Sequence, residues 1–208
     1  MNIIRLAALS ARVAGLLLGM RPAVAFNLSR HLRGLIRDQR GVSAVEFAML
    51  LPLMVTLYLG GVEVSQAVAI DRKVTLIARS LGDLVAQATN VTNAEMSNIL
   101  AASAAIVVPY QDTKLNIVVS SVKIDAQGVA KIAWSDTKNG TARAVGSTVT
   151  LPAALNTAST TLIWAEAQYA YTPTIGYVIT GTMNLRDQIY MRPRLSDCVT
   201  RDGVVSTC

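Results

Sequence analysis

Glu46 is the residue whose chemistry fits its surroundings least, because it is the one charged residue between Val42 and Val62. An ionisable group inside an apolar membrane-spanning stretch costs about 3 kcal/mol on insertion scales, so such groups usually have a partner or a function. Two interpretations follow from its position. The side chain lies near one end of the stretch and could extend to the membrane surface, or its carboxylate could bind a positive charge on a neighbouring chain.

Cys198 and Cys208 are the two cysteines of the chain, and they flank the segment VTRDGVVST. Asp202 and Gly203 lie in the middle of this segment and favour a turn that would bring its ends together. In an oxidising compartment we expect a disulfide that closes a C-terminal loop and contributes roughly 2–3 kcal/mol to stability. Free thiols and an intermolecular bond remain the alternatives.

Residues suited to catalysis are sparse. The single histidine, His31, precedes the apolar stretch, so no histidine follows it to activate a serine. The sequence contains no Walker loop, no Gly-x-Ser-x-Gly turn and no His-Glu-x-x-His helix. Asp125, Asp136 and Glu166 could form an acid pair, but their spacing does not argue for it, and a solvated face is the simpler interpretation. We therefore expect no enzymatic activity, no metal and no cofactor.

The positive charge of the chain is concentrated before the apolar stretch. The formal net charge is +6, and residues 1–41 contain seven arginines, no lysine and one acidic residue, whereas residues 42–208 are neutral overall. A basic arm can bind nucleic acid. Here, however, it precedes 21 residues that, at about 1.5 Å per residue in a helix, would cross a bilayer core of about 30 Å.

The positive-inside rule then predicts the topology. We expect a basic cytoplasmic leader over residues 1–41, a transmembrane helix over residues 42–62 and an extracytoplasmic, periplasmic domain over residues 63–208. Membrane lipid is an expected partner and nucleic acid is not. A buried helix of a soluble protein is the alternative, although few such helices are apolar on all sides for this length.

Gly41 and Glu46 have the spacing of a processing signal. A basic leader, a glycine and an apolar helix with glutamate at the fifth following position resemble the cleavage site of type IV prepilins. The longer segment RGVSAVEFAMLLPLMVTLYLGGVEV, residues 40–64, resembles the N-terminal signature of TadE/TadG-like pilus assembly proteins, the pseudopilins of the tight-adherence (Flp) pilus. The matching residues are Gly41, Ala44, Val45, Glu46, Phe47 and Pro52. Looser similarity is found over residues 167–177 and 191–195.

The resemblance implies a small, non-enzymatic TadE-type minor pilin in the inner membrane. Cleavage by a prepilin peptidase after Gly41 would leave a free amine on Val42, and Glu46 of a neighbouring subunit would supply its counter-charge. Pro52 would kink or loosen the helix. The implied partners are other pilins, the inner-membrane assembly platform and the peptidase. The alternative is an unprocessed single-pass membrane protein with a periplasmic binding or sensor domain.

Two helices are predicted to follow the apolar stretch. Ile70, Val74, Ile77, Leu81 and Leu84 recur at spacings of four and three, which predicts one packed face of a stem helix over residues 63–90. A second, short helix is predicted over residues 93–107 because capping residues precede it and a proline follows it.

The remainder of the chain has the two-residue period of strands. Runs rich in Val and Ile predict four strands, which we expect to be antiparallel, over residues 115–125, 129–135, 161–171 and 182–191. Residues 136–160 are predicted to form a loop. The expected fold is α+β: a long N-terminal transmembrane helix and a short helix packed on a four-stranded sheet within residues 114–193, followed by the disulfide loop over residues 198–208. The aromatic residues Trp134, Trp164, Tyr169 and Tyr171 are expected in the core or on the sheet faces.

Overall fold

The structure is a computed structural model that describes residues 40–173, 176 and 180–202. The chain divides into two compact units, residues 1–55 and residues 56–208. The first helix, α1 (Arg40–Ala86), begins in the first unit and ends in the second. Residues 1–39 of the predicted leader lie outside the described residues, as does Cys208.

Among the described residues, α1 is the one helix that is long and apolar enough to cross a membrane. From residue 41 to residue 55 every side chain of α1 is exposed, including the large apolar residues Phe47, Met49 and Leu53. A helix that is apolar on all sides is suited to an apolar environment rather than to water.

Within the second unit, α1 buries one face. The first four residues of the predicted seam, from Ile70 to Leu81, are at most 1% exposed, which confirms this part of the prediction. The prediction for Leu84 is wrong, because Leu84 is 40% exposed and Val85 is fully buried in its place. At 3.6 residues per turn, the buried face continues after Leu81 by a step of four rather than three. We call the part of α1 over residues 63–86 the stem.

The second helix, α2 (Asn93–Ala105), begins with a capping box. The side-chain oxygen of Thr92 accepts a hydrogen bond from the main-chain N–H of Glu95, at 3.3 Å. In return, the Glu95 carboxylate accepts the main-chain N–H of Thr92, at 2.8 Å. Two backbone donors that the helix itself cannot satisfy are thereby paired, which explains why the helix begins at this point.

The main sheet is antiparallel throughout, with the strand order β4–β3–β2–β5–β6. The α+β class and the antiparallel pairing are therefore confirmed, but the prediction of four strands missed β4. That strand is two residues long and lies in the region predicted as a loop, and two residues are too few to show an alternating pattern. The five strands are β2 (Leu115–Ile124), β3 (Ala130–Lys138), β4 (Thr148–Val149), β5 (Thr160–Tyr171) and β6 (Met183–Met191).

A second, parallel pair of strands joins the segment that follows the stem to the C-terminal segment. β1 (Asn90–Val91) pairs with β7 (Thr200–Arg201), although 110 residues separate the partners. The stem helix was predicted to continue to residue 90. It ends at Ala86 instead, because Asn90 is in extended conformation and belongs to this pair.

The two faces of the main sheet pack differently. The inner face, with residues such as Ile117 and Ile163, forms the larger hydrophobic core together with α1 and α2. The outer face carries a smaller core, which includes Leu162 and is covered by residues from the segment between β3 and β5. Both tryptophans are buried as expected, but Trp134 belongs to the larger core and Trp164 to the smaller one.

Candidate functional site

The predicted processing site lies in the first turn of α1. Gly41 and Val42 are the second and third residues of the helix, and Val42 is 55% exposed. A Cβ atom added to Gly41 would meet no atom within 4 Å. The space beside the Cα atom of Gly41 is therefore open among the described residues, and cleavage between Gly41 and Val42 stays a prediction.

Glu46 lies one helical turn after Val42. Residues four apart on a helix are neighbours on the same face, with Cβ atoms about 5–6 Å apart. The Glu46 side chain is exposed and forms no hydrogen bond or ion pair with the described residues. A carboxylate in such apolar surroundings is stabilised strongly by a cation from another chain. The structure therefore leaves Glu46 available for the predicted contact, and that role stays a prediction.

Pro52 lies inside α1, and the helix continues through it. Proline has no N–H group, so the main-chain oxygen of Ala48, four residues earlier, lacks its usual helical donor. Neighbouring helices in a membrane can tolerate such a residue. Whether Pro52 kinks or softens the helix stays a prediction.

A second glutamate, Glu63, was not identified as a site residue from the sequence. It is 1% exposed and lies seven residues before Ile70, so the heptad spacing of the seam could have revealed its burial. The hydroxyl of Tyr171 donates a hydrogen bond to the main-chain oxygen of Glu63, at 3.1 Å. Burial raises the pKa of Tyr171, and the negative charge of Glu63 adds to this effect, so the hydroxyl stays a donor at neutral pH. This contact joins the end of β5 to the start of the stem.

Lys73 joins the stem to the end of α2. Its ammonium group donates to the main-chain oxygens of Ile106, at 2.9 Å, and Val108, at 2.8 Å. The last carbonyls of a helix have no partner within the helix, and a positive charge also complements the helix dipole there. Lys73 therefore fixes the position of α2 on the stem.

The segment after β6 closes over the end of the stem. The main-chain N–H of Arg194 donates to the oxygen of Ala86, at 2.8 Å, and the Arg194 guanidinium pairs with Asp83. The looser resemblance over residues 191–195 therefore falls on a structural contact. Cys198 follows in this segment, whereas Cys208 lies outside the described residues, so their disulfide stays a prediction.

The three carboxylates considered for acid chemistry have separate partners. Asp136 binds Arg201, and Glu166 binds Arg143. Asp125 accepts two main-chain N–H groups in the turn between β2 and β3. Within the described parts of the chain there is also no group of three or more His, Cys, Asp or Glu residues that could hold a metal ion.

The comparisons with known proteins agree with the geometry of α1. The family model described as TadE-like protein matches residues 41–80, which lie entirely within α1. No curated protein and no solved structure matches the chain. The family match supports a protein related to pilus assembly, on the evidence of one helix rather than of the whole chain.

Proposed function

We propose that the chain is a TadE-like minor pilin, or pseudopilin, that acts as a structural subunit in the assembly of a tight-adherence type IV pilus. The observation that carries this proposal is the coincidence of three features in α1. The family match, the exposed apolar surface and the isolated Glu46 all fall on the same helix. A subunit of this kind has no catalytic role.

In the proposed arrangement the chain is a single-pass protein of the inner membrane. Residues 42–62 span the bilayer, the basic residues before them stay in the cytoplasm and residues 63–208 lie in the periplasm. After assembly begins, the subunit is either retained in the membrane or transferred into the pilus. Its proposed partners are other pilins and the inner-membrane assembly platform.

Processing gives Glu46 its role in this proposal. A prepilin peptidase cleaves after Gly41 and leaves a charged amine on Val42. In the low dielectric of the membrane that amine needs a counter-charge, and the Glu46 carboxylate of a neighbouring subunit supplies it. The charge pair would set the axial position of one subunit relative to the next.

The domain is well suited to move together with its stem. Tyr171 and Arg194 contact the stem near its start and its end, and Lys73, in the middle of the stem, contacts the end of α2. A load applied to the stem would therefore reach the sheet, α2 and the C-terminal segment through separate contacts. Such attachment supports a structural subunit more than it supports a freely moving sensor domain.

The first experiment determines the N-terminus of the protein purified from membranes of cells with and without their prepilin peptidase. The proposal expects a start at Val42 that depends on the peptidase. A start at Met1, or at Met20 if translation begins at that methionine instead, in both strains would contradict the processed pilin and favour the unprocessed membrane-anchored domain.

A second experiment tests Glu46 by counting pili on cells that carry Glu46→Ala. We expect normal membrane insertion, because the substitution removes a charge from an apolar span, together with a loss of pili. Asp71→Asn is the matched control, since Asp71 is an exposed acid on the same helix outside the predicted span. Normal piliation with Glu46→Ala would show that the carboxylate is not needed for assembly.

A further inference from the structure

The outer face of the main sheet holds a cavity of about 580 Å³ that the proposed pilin function does not use. Strand register places its side chains in two rows across β2, β5 and β6. Asn116, Gln168 and Arg186 form one row. Glu166 and Gln188 lie opposite each other in the next row. Directly opposite residues share a face, so these side chains all project from the same side of the sheet.

One wall of the cavity is held rigidly. Arg143, from the segment between β3 and β4, binds Glu166 through its Nε atom at 3.0 Å and its Nη2 atom at 2.7 and 2.8 Å. Its guanidinium also lies 3.7 Å from the centre of the Trp164 ring. Two-point binding and stacking fix the orientation of the guanidinium and the carboxylate before any ligand arrives.

Much of the hydrogen-bonding capacity of the lining is unused. Within the described part of the chain, the side chains of Asn116, Gln168 and Arg186 form no hydrogen bond. Gln188 uses its side-chain oxygen to accept the indole N–H of Trp164, at 3.2 Å, which leaves its amide donors free. Three amides and a guanidinium that face one cavity can therefore bind a ligand without breaking a contact of the fold.

The charge of the lining indicates a neutral ligand. Glu166 neutralises Arg143 directly. The side chain of Asp187 shares the inner face of the sheet with Ala167, so among the lining residues Arg186 is the one charge on the cavity side without a counter-charge. Arg186 is exposed, so water and salt weaken its field, and the cavity offers only a weak positive field that would not by itself select an ion. An apolar ligand is equally unfavourable, because it would cover the amides without pairing them.

We propose that this cavity binds a saccharide. Each hydroxyl of a sugar both donates and accepts hydrogen bonds, and an amide or a guanidinium–carboxylate pair offers a donor and an acceptor side by side. The volume lies within the range of about 300–1,000 Å³ that is typical of small-ligand sites. Most of the lining residues lie on strands, so the site is largely formed before binding and little ordering is needed.

The test uses the full chain in lipid nanodiscs, which avoids detergents with sugar headgroups. Glucose, galactose, N-acetylglucosamine, maltose, cellobiose and lactose are titrated, with tryptophan fluorescence and isothermal calorimetry as readouts. Trp164 reports on the cavity because it contacts both Arg143 and Gln188. The Trp134→Phe background removes the signal of the other tryptophan.

The proposal expects saturable binding of at least one of these sugars, with a fluorescence change in the Trp134→Phe protein. Gln168→Ala and Arg186→Gln should each weaken it about tenfold, which corresponds to the loss of one good hydrogen bond. Asn184→Ala is the matched control, because Asn184 is an exposed residue of β6 that does not line the cavity. It should leave the affinity unchanged.

Three results would overturn the proposal. One is the absence of saturable binding of every sugar by calorimetry as well as by fluorescence. The other is binding of inorganic phosphate or of an acidic tetrapeptide that the Arg186→Gln variant abolishes while no sugar binds, which would assign the cavity to anions or to peptide. The third is sugar binding that is as strong in Gln168→Ala and Arg186→Gln as in the Asn184→Ala control, which would place the sugar site elsewhere on the protein.

Discussion

The guanidinium of Arg201 binds both carboxylate oxygens of Asp136, with Nε–Oδ2 and Nη2–Oδ1 distances of 2.8 and 3.0 Å. The pair joins β7 to β3 of the main sheet. The same guanidinium donates to the main-chain oxygen of Val91, at 3.1 Å, and to the side-chain oxygen of Asn93, at 2.7 Å. The hydrogen bonds to Asp136 raise the pKa of Arg201, so the contact keeps its charge. One side chain thus connects the C-terminal strand, the sheet and the start of α2.

Replacing Arg201 by methionine should lower the free energy of unfolding by about 2 kcal/mol, because hydrogen bonds to a charged group are lost while Asp136 stays partly buried. Urea unfolding of the full chain in nanodiscs, followed by tryptophan fluorescence, measures the change. Lys138→Met is the control, since its ion pair with Asp112 is more exposed and should contribute less than about 1 kcal/mol. Equal losses in the two variants would contradict the central role of Arg201.

Replacing Lys73 by methionine should lower the free energy of unfolding by about 1–2 kcal/mol, because two main-chain oxygens at the end of α2 lose their donor. The apolar part of the side chain is retained, so packing on the stem changes little. The same urea experiment measures the effect. Arg79→Met removes an exposed positive charge from the same helix and should change stability by less than about 0.5 kcal/mol. A larger loss for Arg79→Met than for Lys73→Met would refute this assignment.

Gly82 lies where the stem passes close to the sheet. A Cβ atom there would lie 3.3 Å from Ile189 and 3.4 Å from Ala165 and Met191. Gly82→Ala should change the free energy of unfolding little, because a helix-propensity gain of about 1 kcal/mol opposes the tight contact. Gly82→Leu should lower the free energy of unfolding by about 1–3 kcal/mol, because the larger side chain overpacks this contact.

Thermal unfolding measures both Gly82 variants against the corresponding variants of Gly61, where a Cβ atom would meet nothing within 4 Å. Leucine at position 61 should be tolerated. If leucine is tolerated equally at position 82, the stem and the sheet do not approach as closely as the structure shows.

The capping box of α2 should make stability depend on pH. Hydrogen bonds from Thr92 lower the pKa of Glu95 below its ordinary value of 4.5. The charged carboxylate therefore stabilises the folded state above about pH 4.5, and this contribution is lost as the pH falls through the lowered pKa. Unfolding measured between pH 6 and pH 3, in steps of about 0.5 unit, should show a weaker pH dependence for Glu95→Gln, which keeps an acceptor but cannot titrate.

Ser97→Ala serves as the control for that measurement, because Ser97 is an exposed residue of α2 outside the capping box. It should keep the pH dependence of the original protein. If the free energy of unfolding of Glu95→Gln depends on pH as steeply as that of the original protein, the charged form of Glu95 does not stabilise the fold.

Several features of the protein follow from local sequence patterns. The apolar run with Glu46 predicts an apolar helix long enough to cross a membrane, and the spacing from Ile70 to Leu81 predicts the buried face of the stem. The turn between β2 and β3 is also a local feature, because Gly128 can adopt the positive φ of 80° found there. These features depend on periods and turns of a few residues, so they can be recognised without knowledge of the fold.

Other features depend on residues that are far apart in the sequence. The pairing of β1 with β7, the burial of Glu63 beneath Tyr171 and the contact of Arg201 with Asp136 each join segments separated by 65 to 110 residues. The cavity is a similar case. Its polar residues alternate with buried residues on β2 and β5 and with partly buried residues on β6, and in each strand they look like an ordinary solvated face.

The sequence by itself therefore determined the apolar helix, the position of its glutamate and the α+β class, because hydrophobic periodicity and charge are local properties. The tertiary structure decided that the main sheet has five strands, that Val85 rather than Leu84 is buried, and that three side-chain amides meet on the outer face. Each of these depends on which distant surfaces meet, and that is settled by packing and by hydrogen bonds between segments rather than by the pattern within any one of them.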